Sequence, residues 1–278
     1  MKKILFIAFP LIVIFNLVEA SENYPFTVKE SGNGKAPIIL IPGFACSGDV
    51  WNETVEQLKA NHECYALNMA GFAGVTAETN PDIQNWVKQI ARYIEEKKID
   101  HPIIIGHSLG GVIAQWLAAD YPQLISKIVV VDALPCLPAL SNPAFETAVQ
   151  PDCSRFINSF TAMAADQFYQ MQRVTMASMV ADTSKIEPIV QWSMHSDRNT
   201  MALVYCQLLN TDLRNKISAV KCPALVLLEP SFNAIQSSVE GQYKNLKGAQ
   251  LHYAAKGLHF IMYDEKTWFF EQLKNFIQ

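Results

Sequence analysis

The sequence predicts an α/β protein in which a mostly parallel sheet is flanked by helices and carries an inserted helical cap. From residue 36 onward, short apolar runs rich in β-branched residues alternate with helical patterns, as in parallel sheets that are buried on both faces. This alternation stops over 134–218, where no convincing strand occurs, and it resumes at Pro223. We therefore predict an α/β core of 21–133 and 219–278 and a helical cap of 134–218.

Each element is predicted from its own pattern. The strands are runs that are apolar throughout and end at turn residues, as the run at 37–41 ends at Pro42-Gly43. The helices repeat apolar residues at intervals of three and four, most clearly over 83–97. In chain order we predict strands over 37–41, 63–68, 101–105, 125–131, 224–228 and 250–254, and helices over 50–59, 83–97, 109–120 and 267–277.

The first 20 residues have the pattern of a secretory signal peptide. Two lysines precede an apolar run from Ile4 to Val18, and the run closes on a small-residue cleavage signal that ends at Ala20. We expect cleavage after Ala20 and a periplasmic or secreted protein. An uncleaved membrane anchor is the alternative, and it is less favoured because a membrane span takes about 20 apolar residues.

Composition limits the classes of partner. Of 278 residues, 50% are hydrophobic and 17% are charged, and the formal net charge is −4. No block rich in lysine or arginine occurs, so we expect no nucleic-acid partner. No second apolar stretch is long enough to predict a membrane span in the mature chain. We expect a small-molecule substrate, and the sequence leaves the oligomeric state open.

The cysteines and methionines allow more than one interpretation. Local disulfides between Cys136 and Cys153, or between Cys206 and Cys222, are as compatible with the spacing as isolated buried thiols. No cysteine or histidine cluster has the spacing of a metal site, so we expect no metal. The methionines of the predicted cap suit either an irregular core or an adaptable apolar substrate pocket.

The strongest local signal is Gly106-His107-Ser108-Leu109-Gly110, between a predicted strand and a predicted helix. Gly-x-Ser-x-Gly in this context is typical of a nucleophile elbow, where a sharp turn projects the serine hydroxyl from the carboxyl end of the strand. The pattern predicts Ser108 as a nucleophile and the Leu109 N–H as an oxyanion donor. The turn after the strand at 37–41 offers Phe44 N–H as a second donor, which such sites need.

A serine nucleophile requires a base and a carboxylate that orients it. His259 lies in a loop between the last predicted strand and the last helix, where a base can reach the carboxyl edge of the sheet. Asp132 ends the strand at 125–131 and is our choice of acid, although an aspartate there could instead only cap the turn. Glu229, which follows the strand at 224–228, is the reserve.

These motifs resemble those of the α/β-hydrolase family, and the resemblance extends over 24–278. Within the family the chain is similar to small capped serine esterases, a branch that includes pimeloyl-carrier-protein methyl esterases and haloperoxidase-like hydrolases. The resemblance implies an α/β-hydrolase fold with eight strands and no cofactor. It also implies Ser108 and His259 as nucleophile and base, with Phe44 and Leu109 holding the carbonyl oxygen.

The chain departs from the family pattern in two places. Pro42 stands where many relatives have a histidine, which affects the support of the loop more than the donor itself. No aspartate follows the strand at 224–228, the usual position of the acid, but in some haloalkane dehalogenases the acid follows the earlier strand, as Asp132 does. Those enzymes and epoxide hydrolases use an aspartate nucleophile, so Ser108 argues against both chemistries.

The sequence therefore predicts a serine carboxylester hydrolase that cleaves an ester with an apolar acyl or alcohol part through an acyl-enzyme on Ser108. The nearest alternative is a thioesterase, lactonase or C–C bond hydrolase that uses the same three residues. A ligand-binding protein of the same fold with slow turnover is a second alternative.

Overall fold

The computed structural model describes residues 24–278, and within them the chain forms one seven-stranded sheet covered by helices. The strands are β1 (Phe26–Ser31), β2 (Ala36–Ile41), β3 (His62–Met69), β4 (Ile103–His107), β5 (Lys127–Val131), β6 (Ala224–Leu228) and β7 (Gln250–Tyr253). The helices are α1 (Asn52–Leu58), α2 (Ile83–Glu96), α3 (Leu109–Asp120), α4 (Ser154–Thr161), α5 (Ala165–Ala177), α6 (Ile186–Met194), α7 (Arg198–Leu209), α8 (Gln236–Tyr243), α9 (Ile261–Asp264) and α10 (Lys266–Ile277).

The spatial order of the strands is β1-β3-β2-β4-β5-β6-β7, and every pair is parallel except β1 with β3. At the carboxyl ends of the central strands, His107 pairs with Val131, and Val131 pairs with Leu227. The turns that follow β4, β5 and β6 therefore begin side by side at one edge of the sheet. Ligands bind at this edge in open parallel sheets.

The sheet is buried on both faces, as the continuous apolar strands predict. Along β2, Ile39 and Ile41 pack into one core cluster, whereas Ile38 and Leu40 pack into the cluster on the other face. Helices α2 and α3 contribute to the first cluster, and α1 and α10 contribute to the second. The predicted α/β class is thus confirmed.

The expectation of eight strands was wrong for the part of the chain that the structure describes, which contains seven. Only β1 precedes β2, and it pairs along its whole length with β3, so it forms the edge of the sheet. The sequence prediction missed β1 and also the helices α8 and α9. It began β4 two residues early, because His101 has a positive φ of 45°, which an extended strand does not allow.

The segment between β5 and β6 is helical, with α4 to α7 and no strand within this described stretch. Neither local disulfide that the spacing allowed is present. Cys153, just before α4, is instead bonded to Cys206 in α7, because the packing of these helices brings together cysteines 53 positions apart. The cap boundaries at 134 and 218 stay a prediction.

The predicted signal peptide at 1–20, and the alternative of a membrane anchor, lie outside the described residues. Among the helices that the structure does describe, none is long and apolar enough to cross a bilayer.

Candidate active site

Ser108 lies in the sharp turn from β4 to α3, with φ 52° and ψ −119°. Its flanking glycines are required by close backbone contacts. A Cβ on Gly106 would lie 2.0 Å from the carbonyl oxygen of Gly110, and a Cβ on Gly110 would lie 2.2 Å from the carbonyl oxygen of Ile41. The turn thus has the strained geometry of a nucleophile elbow, and the N–H of Ser108 is held by the carbonyl of Val131 at 2.9 Å.

The two predicted oxyanion donors, Leu109 and Phe44, both lie near Ser108. Leu109 is the first residue of α3, where the helix presents the positive end of its dipole. Phe44 follows β2 in a tight turn that is closed by a hydrogen bond from Cys46 N–H to the Gly43 carbonyl. Across residues 24–278, no acceptor is bonded to the amide of Phe44 or of Leu109. This is the condition that the predicted oxyanion donors have to meet.

His259 and Asp132, which are 127 positions apart in sequence, are joined by a hydrogen bond. His259 Nδ1 donates to Asp132 Oδ2 at 2.6 Å. The Asp132 side chain is almost fully buried, whereas that of His259 is 25% exposed. Because the carboxylate can only accept, Nδ1 carries the ring proton and Nε2 is left with a lone pair. The predicted base and the first-choice acid are therefore brought together.

The reserve acid, Glu229, is placed differently. Its backbone N–H donates to Asp132 Oδ1 at 2.7 Å, so Glu229 supports the carboxylate of Asp132 through its main chain. Its own side chain accepts from the hydroxyl of Ser231. Burial raises the pKa of the Glu229 carboxyl. Asp132, and not Glu229, is thus the carboxylate bonded to the ring of His259, and Glu229 lies beside it in the cavity wall.

His107 is a buried residue of the site to which the sequence prediction gave no role. Its Nε2 donates to the backbone carbonyl of His259 at 2.9 Å, and its ring packs 4.7 Å from the rings of both His259 and Phe260. Burial lowers the pKa of His107 well below its usual range, and the nearby charge of His259 acts in the same direction. A neutral His107 therefore fixes the backbone of His259. Its place inside the elbow gave no signal of this contact.

A second unpredicted residue, Asp264, ties the His259 loop to the helical segment. Its carboxylate accepts from the backbone N–H groups of Leu258, Ala181 and Asp182 at 2.9–3.0 Å. Phe260 N–H also donates to the carbonyl of Met179. The loop that carries His259 is thus held from the sheet side by His107 and from the helical side by Asp264.

Ser108, His259, Phe44, Leu109 and Asp132 all border one cavity of about 480 Å³ between the sheet edge and the helical segment. Its wall is mainly apolar. On the helical side the apolar contributors are Phe160, Met171, Met176, Met179, Ile189 and Leu208. The methionines of α5 therefore line the cavity, although Met176 also packs into a core cluster. No group of three potential metal ligands occurs in the described part of the chain.

The comparisons with known proteins identify the family of the chain. The model of the alpha/beta hydrolase fold family matches residues 36–184, more than half of the chain. The chain therefore belongs to the α/β-hydrolase family, and the resemblance stated from its motifs is confirmed.

Individual relatives and solved structures are also similar to this chain. A pimeloyl-[acyl-carrier protein] methyl ester esterase of Vibrio atlanticus is 23% identical over 203 residues, which cover 70% of this chain and 76% of the relative. The solved enol-lactonase of Burkholderia xenovorans LB400 superposes with a TM-score of 0.74 at 16% identity, covering 91% of this chain and 96% of that one. An esterase of Exiguobacterium antarcticum gives a TM-score of 0.72 at 16% identity, with coverages of 90% and 94%. At these identities the solved structures show a common fold.

Proposed function

We propose that this protein is a serine hydrolase that cleaves a carboxylic ester with an apolar acyl or alcohol part. The observation that carries the proposal is the hydrogen bond of 2.6 Å between His259 and Asp132, in the wall of the cavity that Ser108 also borders. This bond leaves the lone pair of His259 Nε2 available to a hydroxyl. Relatives that are named methyl ester esterases support the choice of an ester.

In the proposed reaction, Ser108 Oγ attacks the ester carbonyl and transfers its proton to His259 Nε2. The imidazolium that forms is stabilised by the buried carboxylate of Asp132. The carbonyl oxygen becomes an oxyanion between the N–H groups of Phe44 and Leu109, and each such donor contributes about 3 kcal/mol in the transition state.

Collapse of this intermediate breaks the bond to the leaving oxygen, which takes the proton from His259. Water then attacks the acyl-enzyme, giving a proton to the same nitrogen, and the carboxylic acid is released as Ser108 regains its proton. The cavity provides a mainly apolar surface for the acyl or alcohol part.

Labelling with a fluorophosphonate tests this proposal, because the reagent reacts with activated serine hydroxyls. We expect Ser108→Ala to abolish labelling and the hydrolysis of p-nitrophenyl esters. The matched control is Ser237→Ala, which changes an exposed serine on α8. If the Ser108→Ala protein is labelled as fast as the wild type, Ser108 is not the nucleophile. Thioesters and lactones in the same assay determine which acyl compound is preferred.

We further propose a periplasmic or secreted location. The disulfide between Cys153 and Cys206 supports this, since disulfides persist mainly in oxidising compartments.

A further inference from the structure

The cavity contains two polar side chains whose role the proposed chemistry does not explain. Gln172 on α5 and Ser193 on α6 border the cavity from the helical segment. Both are more than nine-tenths buried, since Gln172 is 7% exposed and Ser193 is 3% exposed. Ser108 and His259 instead occupy the sheet edge, so these two side chains face a different part of a bound molecule.

Within residues 24–278 neither side chain makes a hydrogen bond. Neither is among the polar atoms that are sealed from solvent without a partner, so the polar atoms of both open into the cavity. Two other buried hydroxyl groups in this helical region do have partners within the chain. The hydroxyl of Thr200 donates to the carboxylate of Asp197, and the hydroxyl of Ser196 donates to the carbonyl of Trp192. Leaving a buried polar group unpaired costs about 1–3 kcal/mol. Gln172 and Ser193 therefore take a partner from the cavity, and a ligand that displaces water from them without replacing its hydrogen bonds incurs this cost.

The surroundings of the pair are mainly apolar, although Thr175 and Tyr205 also border the cavity from the helical segment. Met176 lies one helical turn after Gln172, and Ile189 lies one turn before Ser193, so each polar residue shares its cavity-facing stripe with an apolar one. An entirely apolar ligand would leave the amide of Gln172 and the hydroxyl of Ser193 dry and unpaired. A ligand with a polar group within hydrogen-bond reach of them would satisfy them and still bury its chain.

The charges around the cavity restrict the nature of that polar group. No lysine or arginine is among the described residues that border the cavity, whereas Asp132 and Glu229 are. A buried anion without a cationic partner is strongly disfavoured. A glutamine amide and a serine hydroxyl can each donate and accept, and this suits an uncharged group with oxygen or nitrogen atoms.

We infer that the substrate carries an uncharged hydrogen-bonding group, such as an amide or a hydroxyl, apart from the scissile bond, and that Gln172 and Ser193 bind it. The inference rests on the ester hydrolysis proposed above and makes its substrate more specific: an apolar chain that joins the reacting ester to a neutral polar group.

Matched p-nitrophenyl esters test this inference. Three series of these esters have acyl chains of increasing length and differ only in the group at the chain end. One series ends in a carboxamide, the second in an isopropyl group, which has the same shape, and the third in a carboxylate. We expect the ratio of kcat/KM for carboxamide over isopropyl to peak at one chain length. At that length Gln172→Leu lowers the ratio about tenfold, as expected for one lost hydrogen bond of about 1.4 kcal/mol. The carboxylate series is the poorest of the three.

The control is Gln170→Leu, which makes the same change at an exposed position of α5, two residues from Gln172. It leaves the ratio unchanged. Ser193→Ala provides a second variant if Gln172→Leu unfolds at the assay temperature, and it lowers the same ratio. Acetate esters of alcohols with the same end groups are assayed in parallel, since the polar group can belong to either part of the ester.

The outcomes separate the two proposals. If the esters are not hydrolysed and Ser108 is not labelled, the proposed function is wrong. If they are hydrolysed but neither the acyl nor the alcohol series shows a peak that Gln172→Leu or Ser193→Ala removes, the function stands and this inference is overturned. A preference for the carboxylate series also overturns it, because that result contradicts the charge argument.

Discussion

The substitution Asp132→Asn distinguishes an orienting acid from a carboxylate that only caps a turn. Asp132 Oδ1 accepts the N–H of Glu229 at 2.7 Å, and Oδ2 accepts Nδ1–H of His259 at 2.6 Å. In the Asp132→Asn variant, the amide oxygen has to remain toward the N–H of Glu229, so the amide nitrogen faces His259. That nitrogen donates to Nδ1 and moves the ring proton to Nε2, which can then no longer accept the proton of Ser108.

The same tautomer change lowers kcat about 10⁴-fold in serine protease triads, which corresponds to about 5 kcal/mol of transition-state stabilisation. We expect a loss of this size in the steady-state hydrolysis of p-nitrophenyl esters by Asp132→Asn. The fold should survive, because Asp132 has a φ of 50° and asparagine tolerates this region well. Thermal unfolding of the variant checks this point.

The comparison variant is Glu229→Gln, which keeps the backbone N–H that supports Asp132. We expect it to lose less than tenfold in kcat. If instead Asp132→Asn stays within tenfold of the wild type and Glu229→Gln loses more than 10³-fold, the orienting acid is Glu229 and our reasoning about the tautomer is refuted.

Two further predictions concern stability. Cys153→Ser should lower the free energy of unfolding by about 4 kcal/mol, since the disulfide closes a loop with a separation of 53 residues. Dithiothreitol should destabilise the wild type equally and leave the variant unaffected. Equal stability of wild type and variant in the absence of reductant would contradict this. The pKa of His107 is lowered in the folded state, whereas in the unfolded chain it is about 6.5. At a pH below about 6.5, unfolding therefore takes up a proton at His107, and the free energy of unfolding falls as the pH drops. In urea unfolding from pH 7.5 to pH 5, His107→Asn should reduce this slope by up to about 1.4 kcal/mol per pH unit, and identical slopes would rule out the mechanism.

The central strands could be predicted from the sequence because each is buried on both faces and therefore apolar throughout. β1 could not, since it lies at the edge of the sheet. Only Phe26 is buried in this strand, whereas Lys29 and Glu30 are exposed to solvent. Its pattern has neither the apolar run of a central strand nor a clean alternation, and only its pairing with β3 identifies it.

The proposed nucleophile and base of the candidate site follow from local patterns at strand ends. The acid does not, because Asp132 and Glu229 both follow a strand at the same sheet edge, and only the fold shows which carboxylate meets His259. The supporting contacts of His107 and Asp264 were not predictable either. Each joins a side chain to backbone groups that are distant in the sequence, and no residue pattern encodes such a contact. For the same reason the spacing of the cysteines, which left the local pairs and free thiols equally open, did not indicate the pairing of Cys153 with Cys206.

Ser108 and Asp132 share a backbone feature that explains how their positions are fixed. Both are non-glycine residues with positive φ, of 52° and 50°, and each such residue costs about 1–3 kcal/mol. Each directly follows a central strand and keeps one more hydrogen bond to the neighbouring strand: Ser108 N–H to the Val131 carbonyl at 2.9 Å, and Asp132 N–H to the Leu227 carbonyl at 2.7 Å. The sheet thus holds both strained residues by the same backbone interaction. Because Val131 immediately precedes Asp132, the register between β4 and β5 sets the separation of Ser108 and Asp132, and a shift of that register would displace both together.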